Sequence, residues 1–169
     1  MKMPIQKIES AVQKKDVRNY LQEAYQEAYF DKDKGRLVAT DDHICAIVPV
    51  TDYNEDSAGY ISPDAMKHAR KIKTDTIAVN GSINFPNGTS MSRSELGKFP
   101  DYEKVVPKKP KGEPTICIDA ALLLKLAQAI NIPSADSGTS LKLWITGSKD
   151  VIYVEGNSDA YGAIMPRRF

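Results

Sequence analysis

Apolar positions along the chain fall into short alternating or continuous runs closed by Gly, Asn, Asp or Pro, interrupted by stretches of helical spacing. The clearest succession covers residues 115–169. Thr115, Ile116, Cys117 and Ile118 read as a short strand, and Asp119 can cap a helix over 120–130 because its carboxylate accepts the unpaired amide hydrogens of a first turn. Residues 131–140, with Pro133 and Gly138, end that helix. Three strands follow at 141–146, 151–155 and 160–165, separated by Gly147-Ser148-Lys149-Asp150 and by Gly156-Asn157-Ser158-Asp159.

Residues 59–107 repeat that order. Tyr60 and Ile61 form a strand end, Ser62 is an N-cap with Pro63 at the first helical position, and a helix runs to about Lys73. Strands are predicted at 75–79, 82–85 and 89–96, with Asn80-Gly81 and Asn87-Gly88 as turns that accept positive φ. Residues 1–50 form a weaker copy without a clear opening strand: a short helix near 5–14, a segment 20–30, a turn at 31–35, and strands at 36–40 and 44–50. The segment YLQEAYQEAYF suits a helix by composition, whereas alternation of Leu21, Glu23, Tyr25, Glu27 and Tyr29 favours a strand, which is the reading adopted. Three such units imply the α+β class, with amphipathic helices covering one face of antiparallel sheets. The domains expected are 1–107, containing units 1–50 and 59–107, then a Pro- and Lys-rich extended linker at 108–114, then 115–169.

The chain has 169 residues, 41% hydrophobic and 27% charged, enough to bury a core without disulfide or metal. Lys and Arg number 23 against 22 Asp and Glu, so a nucleic-acid surface has to be a local patch rather than a property of the whole charge. The start MKMPIQKIES lacks the apolar run of a secretory signal, and no stretch reaches a bilayer span, so a cytoplasmic protein without membrane attachment is expected. Cys45 and Cys117 each lie in an apolar strand-like run and read as small buried hydrophobes. The Asn80 and Asn87 glycosylation patterns read as turns.

Candidate chemistry is sparse. His43 beside Asp41 and Asp42 could form an imidazole–carboxylate pair, yet no nucleophile accompanies it, so a surface turn is the better reading. Cys and His at 43, 45, 68 and 117 have no zinc-ligand spacing. With no phosphate loop or nucleophile elbow, no enzymatic activity, metal or cofactor is expected. On the helix from Pro63, Ala65, Met66, Ala69 and Ile72 make an apolar stripe, while Lys67, Arg70 and Lys71 share another face where like charges repel unless an anion lies there. Lys7, Lys14, Lys15 and Arg18 make a second basic patch. Leu122, Leu123, Leu124, Leu126 and Ile130 leave the last helix apolar on several sides, which suits burial or an interface.

Three stretches resemble the bacterial sliding clamp family, the β subunit of DNA polymerase III. They are DVRNYL followed by LVATDDHICAIV (16–21 and 37–48), GKFPDYEKVVP (97–107) and the terminal YGAIMPRRF (161–169). The first two are similar to the clamp's middle domain and the last to its C-terminal end. The resemblance implies DNA-clamp-like strand-helix-three-strand units, about three of them, equal to one and a half clamp domains. It implies a replication protein that recruits the replicative polymerase or other clamp-binding proteins through a short linear peptide, with duplex DNA and a homo-oligomer left open. The alternative is a peptide-binding adaptor, or competitor of clamp partners, that does not encircle DNA. Carried over by position, the peptide pocket takes Leu21, Thr40, Asp42, His43, Ile44 and Cys45 from the first stretch and Pro100 and Val105 from the second. Ala163, Met165, Pro166, Arg167 and Arg168 come from the third. The family's helices line the DNA hole, which assigns phosphate contacts to Lys67, Arg70, Lys71, Lys14, Lys15 and Arg18. Asp42 stands where the family commonly has Gly, Cys45 where it has Leu, and Arg167 where it often has Met.

Overall fold

The described residues form three antiparallel sheets. The computed structural model describes residues 1–2, 7–12, 23–107, 109–112, 114–131, 140–157 and 159–167, and it divides into two compact units, Met1–Lys108 and Lys109–Phe169.

In the first unit, β1 (Ala28–Asp31), β2 (Arg36–Thr40), β3 (Cys45–Pro49) and β4 (Gly59–Ile61) form one sheet in the order β3-β2-β1-β4. Leu37, Val38 and Ala39 are all buried, so β2 reads as a continuous apolar run because both faces of the sheet are covered. Phe30, Leu37, Ala39 and Val48 face the main core, while Val38 belongs to a second cluster with Tyr60, Phe99 and Tyr102. The strand expected over 20–30 shrinks to β1: Glu23–Gln26 is a 3-10 helix, and residues 20–22 lie outside the described part. Alternation failed as a guide there because Ala24 is buried by a turn that rolls onto the second cluster. Of the helix expected near 5–14, the described residues show a 3-10 helix at Ile8–Ala11.

The second half of this unit holds α1 (Pro63–Lys71) and the hairpins β5 (Ala78–Asn80), β6 (Ser82–Asn84) and β7 (Ser90–Ser92). Ser62 caps α1, its hydroxyl accepting from the Ala65 amide at 3.2 Å, and Pro63 fills the first turn where no amide donor is needed. Ala65, Met66 and Ala69 are buried, with Ile72 packed beside them, as the stripe requires. Gly81 and Gly88 turn at φ 70° and 85°. β7 is shorter than the strand expected over 89–96, because residues 93–98 leave the ladder and cross to β4, where Arg93 Nε donates to the Tyr60 carbonyl. The two halves share one core: Phe30, Leu37 and Val48 from the first meet Met66, Val79 and Ile83 from the second.

The second unit contains α2 (Ala120–Ile130) and the sheet β8 (Lys142–Trp144), β9 (Ile152–Glu155) and β10 (Tyr161–Ile164), in the order β10-β9-β8. Asp119 caps α2 by accepting from Ala121 and Leu122 amides at 2.9 and 3.2 Å. Ile130, Ile152, Val154 and Ile164 form its core. Of the apolar helix positions, Ala127 and Ile130 are buried, Leu123 and Leu126 pack against that core, and Leu122 and Leu124 remain exposed. The strand expected at 115–118 does not form: Ile116 and Ile118 pack on the core, but the segment pairs with no strand among the described residues of its unit. Cys45 and Cys117 are free and half-buried rather than fully buried.

Candidate peptide cleft and cationic helix

The β2–β3 connection is a tight loop built on its own side chains. Asp41 Oδ1 accepts from the amides of His43 (3.0 Å) and Ile44 (2.9 Å), and Thr40 Oγ1 donates to the Ile44 carbonyl (2.6 Å) while accepting from the Asp42 amide (3.2 Å). Those backbone donors, the Ile44 amide foremost, hold the Asp41 carboxyl below the usual carboxylate range. The carboxylate that sequence places beside His43 thus serves loop amides. Asp42 has φ 79°, in the left-handed region that Gly enters freely and Asp tolerates better than most residues. That is the physical reason an Asp can stand where the resembling family has Gly.

Facing this loop is the stretch that carries FPDY. Phe99 stacks on Tyr29 with ring centroids 5.0 Å apart, and the Tyr102 hydroxyl donates to Asp31 Oδ2 at 2.6 Å. Burial and that acidic partner raise the Tyr102 phenol, and burial pushes Tyr60, whose hydroxyl donates to the Gly97 carbonyl, up to about 12. Two aromatic anchors therefore pin residues 97–102 across the outer face of the four-stranded sheet. The result is a cleft of about 430 Å³ between the β2–β3 loop and this segment.

Thr40, Asp42, His43, Ile44, Cys45, Pro100 and Val105 all line it. Ile44 and Val105 are 54% and 75% exposed, so the cleft presents apolar side chains to solvent, with Asp42 and Asp101 at its polar edge. Burial pushes the Cys45 thiol up, which keeps it protonated. Tyr25, Phe99, Tyr102, Val106 and Pro107 also line the cleft, and sequence reasoning did not place them there. Phe99 and Tyr102 were readable as part of FPDY; Tyr25 carried no signal.

The remaining expected pocket residues belong to the second unit or lie outside the described part. Ala163 and Met165 are exposed, Pro166 is half-buried, and Arg167 pairs with Asp119 at 2.7 Å while its amide donates to the Cys117 carbonyl at 2.8 Å. Arg167 thus braces the chain end against the α2 cap. Leu21 and Arg168 lie outside the described residues, as do Lys14, Lys15 and Arg18.

The cationic face of α1 is partly engaged. Arg70 forms an ion pair with the largely buried Glu9, and Lys67 lies 3.6 Å from Asp64, while Lys71 is exposed. The Glu9 partner was invisible in the sequence because it comes from a different helix. Lys7 is exposed. Among the described residues no group of His, Cys, Asp and Glu is placed to hold a metal ion, and no helix is long and apolar enough to cross a membrane.

No protein-family model matches the sequence, and no curated protein does. The crystal structure of the DNA polymerase sliding clamp from Bacillus subtilis matches 95% of this chain with TM-score 0.68 at 18% identity. The chain has the sliding-clamp fold. It covers 45% of that clamp's chain, so it spans less than half of the molecule it resembles in fold.

Proposed function

We propose that the protein is a sliding-clamp-like factor of DNA replication that recruits a polymerase or another replication protein by binding a short linear peptide. In this reading residues 1–107 stand for the clamp's middle domain, 108–114 for a linker and 115–169 for the C-terminal half of its last domain. The observation that supports it is the cleft itself: the β2–β3 loop and the FPDY segment gather Thr40, Asp42, His43, Ile44, Cys45, Pro100 and Val105 around one space. An extended peptide with an aliphatic or aromatic anchor suits such a site, since exposed Ile44 and Val105 gain by being covered.

Isothermal titration with a Gln- and Leu/Phe-containing clamp-binding peptide tests the reading. Ile44→Ala and Val105→Ala should each weaken binding, a central anchor costing ~2 kcal/mol or about 30-fold in Kd. No heat from the parent protein, or equal affinity in all variants, overturns the assignment.

The Arg70–Glu9 and Lys67–Asp64 pairs favour the adaptor form of this function, without DNA encirclement, because partnered cations gain less from a phosphate.

A further inference from the structure

In the first unit, each segment that leads into a helix lies beside the first meander strand of the other half. β4 leads into α1 and pairs with β1, through Ala28↔Ile61, Tyr29↔Tyr60 and Phe30↔Gly59. Lys2, ahead of the 3-10 helix at Ile8–Ala11, bridges Thr76, just before β5. The opposite flank of each segment meets its own half's chain beyond the third strand. Arg93, after β7, donates to the Tyr60 carbonyl, and the Lys2 amide donates to Thr51, after β3. The exchange is reciprocal, and it is what merges two halves over one core.

Residues 116–118 occupy in the second unit the position that β4 occupies in the first, directly before a capped helix. Their near flank also meets the chain beyond the third strand: Arg167, after β10, donates its backbone amide to the Cys117 carbonyl, where Arg93 reaches Tyr60 through its side chain. Their far flank, where β1 lies on β4 in the first unit, has no strand among the described residues. The complementary gap is at β8, which is the edge of its sheet among the described residues, with Lys142, Leu143 and Trp144 all exposed. Leu122, Leu124 and Ile145 add exposed apolar surface on the same unit. The second unit begins at Lys109, so only residues 109–114 lie ahead of this segment within it, too few for another strand-helix half.

We propose that a second copy of this chain completes the unit. Residues 115–118 of one copy add antiparallel to β8 of the other, and the reverse contact forms about a two-fold axis. An isologous pair is the occupant that answers both gaps at once, since each copy offers one segment and one open edge of matching kind. A lone peptide strand on β8 would leave residues 115–118 unpaired. The proposal does not depend on what the cleft of the first unit binds.

Disulfide trapping and solution mass test it on the full chain. Aligning the helix caps Ser62 and Asp119 places Cys117 where Tyr60 lies, so in the pair it opposes an outward residue of β8, either Lys142 or Trp144. Cα atoms about 5 Å apart across an antiparallel pair suit a disulfide. In a Cys45→Ser background, Lys142→Cys or Trp144→Cys should convert most of the protein to a covalent dimer on oxidation, whereas Cys45→Ser alone should not. Light scattering of the parent should give twice the chain mass. Melting curves of the variants identify any that fail to fold, and because both substituted positions are exposed, one at least is expected to remain folded. A monomeric parent, or a dimer that neither folded variant traps, overturns the proposal.

Discussion

Gly59 has φ 135°, which L side chains rarely adopt, and the Arg93 guanidinium occupies the place where a Cβ would stand. That guanidinium is held there by Nε donating to the Tyr60 carbonyl and a terminal nitrogen donating to Ser57 Oγ at 2.8 Å. Gly59→Ala should therefore destabilise the first unit by about 1–3 kcal/mol, read as a lowered urea midpoint. Gly97→Ala is the control: nothing lies within 4 Å of its added Cβ, and its cost should stay within ~0.5 kcal/mol. An equal shift in the two variants would show that the Arg93 packing carries no weight. At this scale the sequence was a partial guide. Asp42 was visible as a departure from Gly, but only its backbone angle shows why the departure is tolerated. Arg167 was assigned to a pocket rim, and its pairing with Asp119 became visible only once β10 brought the chain end back to the helix cap.

At the scale of elements, α1 and α2 differ in the chemistry of their caps. Ser62 does not titrate in the acid range, whereas the Asp119 carboxyl is held below its ordinary value of 3.8, first by the Leu122 and Ala121 amides and more weakly by Arg167. A depressed folded value means that the cap's contribution is complete above the ordinary value and is lost as pH falls through the lower, folded one. Acidification should thus loosen the first turn of α2 while leaving that of α1 in place. NMR of the Ala121, Leu122 and Ala65 amides checks this: only the first two should follow the Asp119 titration. Movement of all three together would point to global acid unfolding instead. The caps were legible because a cap is settled within three residues of sequence. Strand 115–118 was misjudged for the converse reason, since a strand exists only with a partner.

At the scale of the whole molecule, the exposed lysines of α1 are the place to test for contact with duplex DNA. Any retention of duplex DNA should be weak, insensitive to sequence and steeply reduced by salt, because no base-reading element accompanies the scattered cations among the described residues. Lys67→Ala with Lys71→Ala should lower the salt slope by up to ~2, at about 0.9 for each phosphate no longer neutralised, as read by anisotropy of a labelled duplex. Arg70→Ala is a poorer probe. It strands Glu9, whose side chain is only 10% exposed, and should lower the melting temperature of the protein. An unchanged slope in the double lysine variant removes α1 from any DNA surface.

The α1 and α2 helices with their caps, the Asn-Gly hairpins and the antiparallel α+β class were determined by the sequence alone, because each depends on interactions within a few residues or on a repeating side-chain period. The tertiary structure decided the rest. It assigned β4 to the first half's sheet, brought Phe99 onto Tyr29 and Tyr102 onto Asp31 to raise one wall of the cleft, and set Glu9 against Arg70. Each of these joins residues far apart in the chain, and neither local propensity nor periodicity names the partner on which such a contact depends.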